Sequence, residues 1–143
     1  MQPLAELAPI TIKAGIETLE GDIDQGKSFI TPFATLHAFQ GWADAFAGAS
    51  ISGVYGGQTA GIEDTYLSIS SKLVGANILA AYHEYEPDDS SSLYDKYGNE
   101  INLSVSKRFG QNYLIGLKYS DFESEDNYSV DTEKLWTWLQ VKF

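Results

Sequence analysis

Five basic residues, Lys13, Lys72, Arg108, Lys118 and Lys142, share a setting: each falls on the polar side of a stretch in which apolar and polar residues alternate. Taken singly, each reads as an ordinary solvated side chain. Lining one wall together, they would make an enclosed space positive, which is how a pore favours anions. His37, Trp42 and Asp44 form the other unusual grouping, inside a long stretch rich in Gly, Ala and Phe. They read as packing for a folded-in loop, or as part of a pore-constricting loop whose indole stacks on sugar rings. Catalytic chemistry finds little here. His37 and His83 lie far apart, and no Gly-x-Ser-x-Gly, His-Glu-x-x-His or phosphate-binding glycine loop occurs. No catalytic residue is assigned and no enzymatic activity is expected.

The acidic residues gather in loop-like segments such as Glu84-Tyr85-Glu86-Pro87-Asp88-Asp89. They read as solvated tips, or as oxygen clusters that hold a divalent cation against surface lipid. These loops lack the Asp-x-Asp spacing and glycine of a calcium loop, so no metal site and no cofactor are expected. A net charge of −11, from 20 acidic and 9 basic residues among 143, leaves no basic surface for a phosphate backbone. Nucleic acid is not expected as a partner. Without cysteine, disulfides and thiolate metal sites are impossible. The apolar runs fall far short of the ~20 residues of a membrane helix. A slightly negative mean hydropathy is nevertheless compatible with strands that face lipid and water alternately. The opening Met-Gln-Pro-Leu-Ala-Glu-Leu-Ala-Pro lacks the charged start, apolar centre and cleavage site of a signal peptide.

The alternation predicts strands over about 9–19, 64–73, 78–85, 100–109, 113–120 and 132–143. Val74-Gly75-Ala76-Asn77 and Gly110-Gln111-Asn112 are the tight turns. Residues 20–62 form a long irregular connection, with a short helix expected near 35–46. Segments 85–99 and 121–133 are acidic loops. The connections therefore alternate long and short, as in outer-membrane barrels. An internal repeat accompanies this pattern. The displacement that lays Leu67 on Leu103 also lays Ile69 on Val105, Leu73 on Phe109 and Lys72 on Arg108. A second step carries Phe109 to Phe143 and Arg108 to Lys142. The unit is a hairpin of about 35 residues, with aromatic residues (Tyr82, Phe109, Tyr113, Tyr119, Phe143) near strand ends on the apolar face.

The last strand, with Leu139, Val141 and Phe143 on one face, resembles the C-terminal strand of bacterial outer-membrane barrels, whose aromatic last residue is part of an assembly signal. The stretch Phe29-Ile30-Thr31-Pro32-Phe33-Ala34-Thr35-Leu36-His37-Ala38-Phe39-Gln40-Gly41-Trp42-Ala43-Asp44 is similar to a segment of porins related to the alginate-export barrels. Asp64-x-Tyr66-Leu67 and Trp136-x-Trp138-Leu139-Gln140-Val141-Lys142-Phe143 are similar as well. The resemblance covers most of the chain but only the C-terminal part of such a porin.

It implies an all-β, antiparallel, up-and-down transmembrane β-barrel segment of about six strands in three hairpins, with the long loop between strands one and two. It also implies a bacterial outer-membrane location and passive passage of anionic solutes, such as an anionic polysaccharide, past Lys13, Lys72, Arg108, Lys118 and Lys142. The implied partners are outer-membrane lipid and lipopolysaccharide, the barrel-assembly machinery acting through Leu139, Val141 and Phe143, and further strands or other copies that close the barrel. Six strands are fewer than the eight of the smallest barrels, so residues 1–143 are expected to be one unit, the C-terminal portion of a larger barrel. The competing expectation is a soluble acidic β-sheet domain that binds carbohydrate or a protein partner.

Overall fold

The computed structural model describes residues 9–29, 40–46 and 59–143. Its strands are β1 (Ile10–Leu19), β2 (Gly21–Asp22), β3 (Lys27–Ser28), β4 (Ile62–Leu73), β5 (Ala76–Glu86), β6 (Gly98–Phe109), β7 (Tyr113–Ser124) and β8 (Thr132–Val141). The six long strands form one antiparallel sheet in the order β1-β4-β5-β6-β7-β8, and β2 and β3 form a separate small ribbon. The molecule is therefore all-β. Its main sheet is an open meander with β1 and β8 as edges, not a closed barrel.

Both tight turns fall at the expected places. Leu73 pairs with Ala76 across Val74 and Gly75, whose φ values are 49° and 76°. Two left-handed central residues give the turn whose twist matches the strands it joins. The second turn leaves Phe109 paired with Tyr113 and uses Gly110 at φ 60°. The helix expected near 35–46 is corrected where it can be seen. Residues 40–46 run as bends and a turn, with Gly41 at φ 77° and Asp44 at φ 55°, values no right-handed helix contains. Residues 35–39 lie outside the described residues.

The strands reach further toward the long loops than expected. β4 begins at Ile62, β5 ends at Glu86, β6 begins at Gly98 and β7 ends at Ser124. The small ribbon was not anticipated either. Two loop aspartates pin it: Asp88 Oδ2 accepts the Gly21 N–H at 3.0 Å, and Asp89 Oδ2 accepts that of Ile23 at 2.8 Å. The Ile23 bond, followed by those from Ser91, holds the Asp89 carboxyl below its ordinary range. These aspartates therefore act as loop anchors.

Register fixes the two faces, because a strand's side chains alternate. One face is apolar across all six strands, through rows such as Ile12–Ile69–Ala80–Leu103–Tyr119–Leu135 and Ser71–Ile78–Val105–Leu117–Thr137. Its large side chains are exposed. Phe109 and Tyr113 border it at the turn end, and Tyr82 and Tyr119 stand toward the loop end. Beyond them the same face carries carboxylates: Glu63, Glu84, Glu86, Asp121, Glu123 and Glu133.

The buried core lies on the opposite side, at the loop end. Ala43, Phe46, Ile62, Tyr85, Tyr97 and Phe122 form it. The Tyr97 and Tyr128 hydroxyls are pushed up in pKa by that burial. In this sheet the apolar face is exposed along its length, and it is the polar register that is covered, at the loop end. That inverts the ordinary arrangement of a half-solvated sheet.

Successive hairpins are also offset. Ala76, which closes the first turn, pairs with Lys107, two residues short of Phe109, which closes the next. With about 4.8 Å between strands and about 3.3 Å per residue, that offset over two strand spacings inclines the strands by about 35° from the perpendicular to the line of turns.

Candidate functional site

The polar face is built from short side chains over much of its area, including Ser68, Ser70, Ala81, Ser104, Ser106 and Gly116. Above its loop-end half lies the segment 40–46. Glu100, fully buried on β6, holds it there. One carboxylate oxygen, Oε1, accepts the consecutive backbone N–H groups of Trp42 and Ala43, the latter at 2.9 Å, and the Ser120 hydroxyl at 2.8 Å. Donors that would have closed a helical turn point at a side chain instead, which is the physical reason the expected helix does not form here. A charged acceptor makes such bonds roughly twice as strong as neutral ones.

Three further contacts complete the docking. Lys134 Nζ pairs with Asp44 Oδ2 at 3.0 Å. The Lys118 ammonium lies 3.9 Å from the Trp42 ring centroid and 5.5 Å from that of Trp136. Phe46 packs edge-on against Tyr85, Tyr97 and Phe122, with centroids 4.7, 5.8 and 6.0 Å away.

Gly41 is required by two independent constraints. Its φ of 77° is left-handed, and a Cβ there would run into the Tyr85 hydroxyl and the Glu100 carboxylate. Gly41→Ala is expected to destabilise the docked segment by about 1–3 kcal/mol. The checks are urea unfolding and a gain in iodide quenching of tryptophan fluorescence; unchanged quenching would mean the segment does not need this turn.

A second buried carboxylate sits one hairpin away. Asp64, fully buried on β4, lies 2.9 and 3.0 Å from His83 Nδ1 through its two oxygens. An ionised carboxylate only accepts, so the proton of this contact belongs to Nδ1. The His83 ring stacks with Tyr66 and Tyr85, 5.7 Å from each.

The two arrangements are copies. Asp64 reaches diagonally across its hairpin to His83, beside its direct partner Tyr85. Glu100 reaches diagonally to Ser120, beside Phe122. The interface under the loop is itself polar. Gln40 Oε1 and both amide atoms of Asn102 are buried with no hydrogen-bond partner among the described residues, and the Tyr85 hydroxyl and Glu100 Oε2 are buried beside Gly41. A segment laid over such groups is held by a few strong polar contacts more than by an oil-like seal, and it leaves desolvated groups that water would satisfy on release.

The basic residues named from the sequence are dispersed over this face. Lys13, Lys72 and Arg108 lie on it and are exposed, and Lys142 follows in the same register just past β8. Lys118 is half-buried between the two indoles. Of the loop candidates, Trp42 and Asp44 are brought to the site, to Lys118 and Lys134 respectively, whereas His37 lies outside the described residues. Leu139 and Val141 are on the apolar face of β8, with Phe143 beyond it, all exposed.

Sequence reasoning missed Glu100, Asp64, Ser120 and Lys134. For the first two a signal existed, since the displacement that superposes Leu67 on Leu103 also superposes Asp64 on Glu100. No protein-family model, no curated protein and no solved structure matches this chain.

Proposed function

We propose that this chain forms part of the wall of a bacterial outer-membrane channel. It would pass anionic solutes, an anionic polysaccharide among them, without catalysis, and segment 40–46 would narrow its loop-side mouth. One observation carries this reading: the exposed face of the sheet is the apolar one, and the covered face is polar, lysine-bearing and fitted with an inward-lying loop.

The dimensions agree. From Phe109 to Ile101 the apolar stretch of β6 runs about 26 Å along the strand at about 3.3 Å per residue. At the 35° inclination this is about 22 Å of height, against an apolar band of about 25 Å on membrane barrels. The inclination itself lies at the edge of the range for closed barrels. Aromatic residues at both margins suit the two lipid–water interfaces. The carboxylates beyond them suit the aqueous side of the loop end.

The open edges β1 and β8 must be paired in lipid, because a bilayer offers no hydrogen bonds to a bare strand. Further strands or other copies of the chain would supply the partners. On the inner wall, Lys13, Lys72, Arg108 and Lys142 are the exposed cations that a passing anion would meet.

The test has two stages. The purified chain should require detergent and should partition into lipid vesicles; a chain that stays monomeric in plain buffer is a soluble domain and ends the proposal. In planar bilayers the conductance should prefer chloride to potassium. The Lys72→Glu, Arg108→Glu, Lys142→Glu triple variant should reverse that preference, and an unchanged reversal potential would remove these residues from the pore wall.

A further inference from the structure

One cation does not belong to the polar wall. Lys107, on β6, is among the described residues the only basic side chain on the apolar face, where its direct neighbours are Ala76 and Ile115. Every carboxylate of that face lies at the other, loop end. Its stem leads toward the turn after β4, since a Cβ on Gly75 would sit 4.0 Å from the Lys107 Cε. Its ammonium lies 5.7 Å from the Phe109 ring centroid, level with the aromatic margin at the turn end. A lysine in an apolar band extends in this way to reach the polar boundary.

Beside it runs a groove of about 500 Å³ lined by Val105, Ile115, Leu117, Thr137 and Leu139. Thr137, opposite Leu117, is the short side chain that leaves the depression between its longer neighbours.

We propose that this groove and Lys107 together hold one phospholipid with an anionic headgroup: an acyl chain in the groove, the phosphate on the Lys107 ammonium. The inference rests on the membrane reading above and adds a lipid preference to it. Charge complementarity selects the occupant. The groove is apolar along its length and positive at one end only, the end that coincides with the aromatic margin. An amphiphile with a chain and a single negative head matches that polarity, whereas in a zwitterionic lipid the headgroup's own cation offsets the phosphate and weakens the attraction to the ammonium. A folded protein partner would instead have to bury the lysine without an acid to answer it.

Native mass spectrometry of the full chain, released from vesicles of equimolar phosphatidylglycerol and phosphatidylcholine, tests this. About fivefold preferential retention of phosphatidylglycerol is expected. Lys107→Gln should abolish the preference, Lys107→Arg should keep it, and Lys72→Gln, on the other face, should leave it intact. Equal retention of both lipids by the unaltered chain, or an undiminished preference in Lys107→Gln, overturns the lipid site while leaving the channel reading in place. Failure to enter vesicles of either lipid overturns both.

Discussion

Replacing Leu103 by lysine should prevent stable insertion of the chain into a bilayer, at a cost of about 2–4 kcal/mol for a cation near the midplane of a barrel's lipid face. Leu103 stands on the apolar face one row toward the loop end from its centre at Val105, between Ala80 and Tyr119 in register, and is 46% exposed. The effect is diagnostic because water and lipid give opposite signs. Were that face solvated, exchanging a half-exposed leucine for lysine would be near neutral in stability and would raise solubility. In hydrocarbon the ammonium has no opposite charge in its own row, where Ala80 and Tyr119 flank it, and the first carboxylate of that face, Asp121, stands one row on, opposite Ile101. The adjacent Ser104 points to the opposite face, so Ser104→Lys should insert normally and add positive charge to the wall. Vesicle flotation of the two variants beside the unaltered chain makes the comparison. If Leu103→Lys floats as well as Ser104→Lys, the apolar face does not face lipid and the channel reading falls.

The long strands were legible in the sequence because the apolar–polar alternation of 64–73, 100–109 and 113–120 is nearly unbroken, and because Gly75 and Gly110 mark turns by their own conformational freedom. Their extension toward the loops was not. Glu86, Asp121 and Glu123 read as an acidic loop margin, since a run of carboxylates carries no local signal of where a strand ladder stops. What extends the ladder there is packing from outside it: Phe46 meets Tyr85 and Phe122, and the backbone of residues 42 and 43 meets Glu100. The same contacts explain why residues 40–46 are not helical. Thr35 to Phe46 has a helix-compatible composition, but a fixed acceptor on a neighbouring strand competes for its N–H groups, and Gly41 and Asp44 take left-handed conformations to present them. Local propensity yields to tertiary contacts of this kind. Lys134 could not have been singled out at all. Its role depends on Asp44, 90 residues away in sequence, and nothing local to either residue announces the pair.

Removing the carboxylate of Glu100 tests whether the docked segment is a gate held shut. In Glu100→Ala, the Trp42 and Ala43 N–H groups and the Ser120 hydroxyl lose their common acceptor. Bonds to a charged acceptor contribute about 1.5–3 kcal/mol each, and orphaned buried donors add to the penalty. Since the three bonds share one oxygen, their sum is not additive, and a net loss of about 3 kcal/mol, on the order of a hundredfold in the opening equilibrium, is the reasonable scale. Of the remaining contacts, the ion pair cannot make good that loss. The Asp44–Lys134 pair is about a third exposed at each partner, so water screens it to well under 1 kcal/mol. The absence of native cysteine gives a clean probe. Ala43, 1% exposed, becomes a single maleimide target as Ala43→Cys, slow to label while the segment is docked and faster by one to two orders of magnitude once Glu100 is alanine. Glu100→Gln, which keeps one acceptor oxygen, should fall between the two. In the channel assay the same alanine variant should raise conductance, because the segment leaves the polar face it covers. Fast labelling without a change in conductance would keep the docking but deny it control of the pore. Slow labelling in both backgrounds would show that Phe46 and its aromatic neighbours, not the carboxylate, hold the segment down.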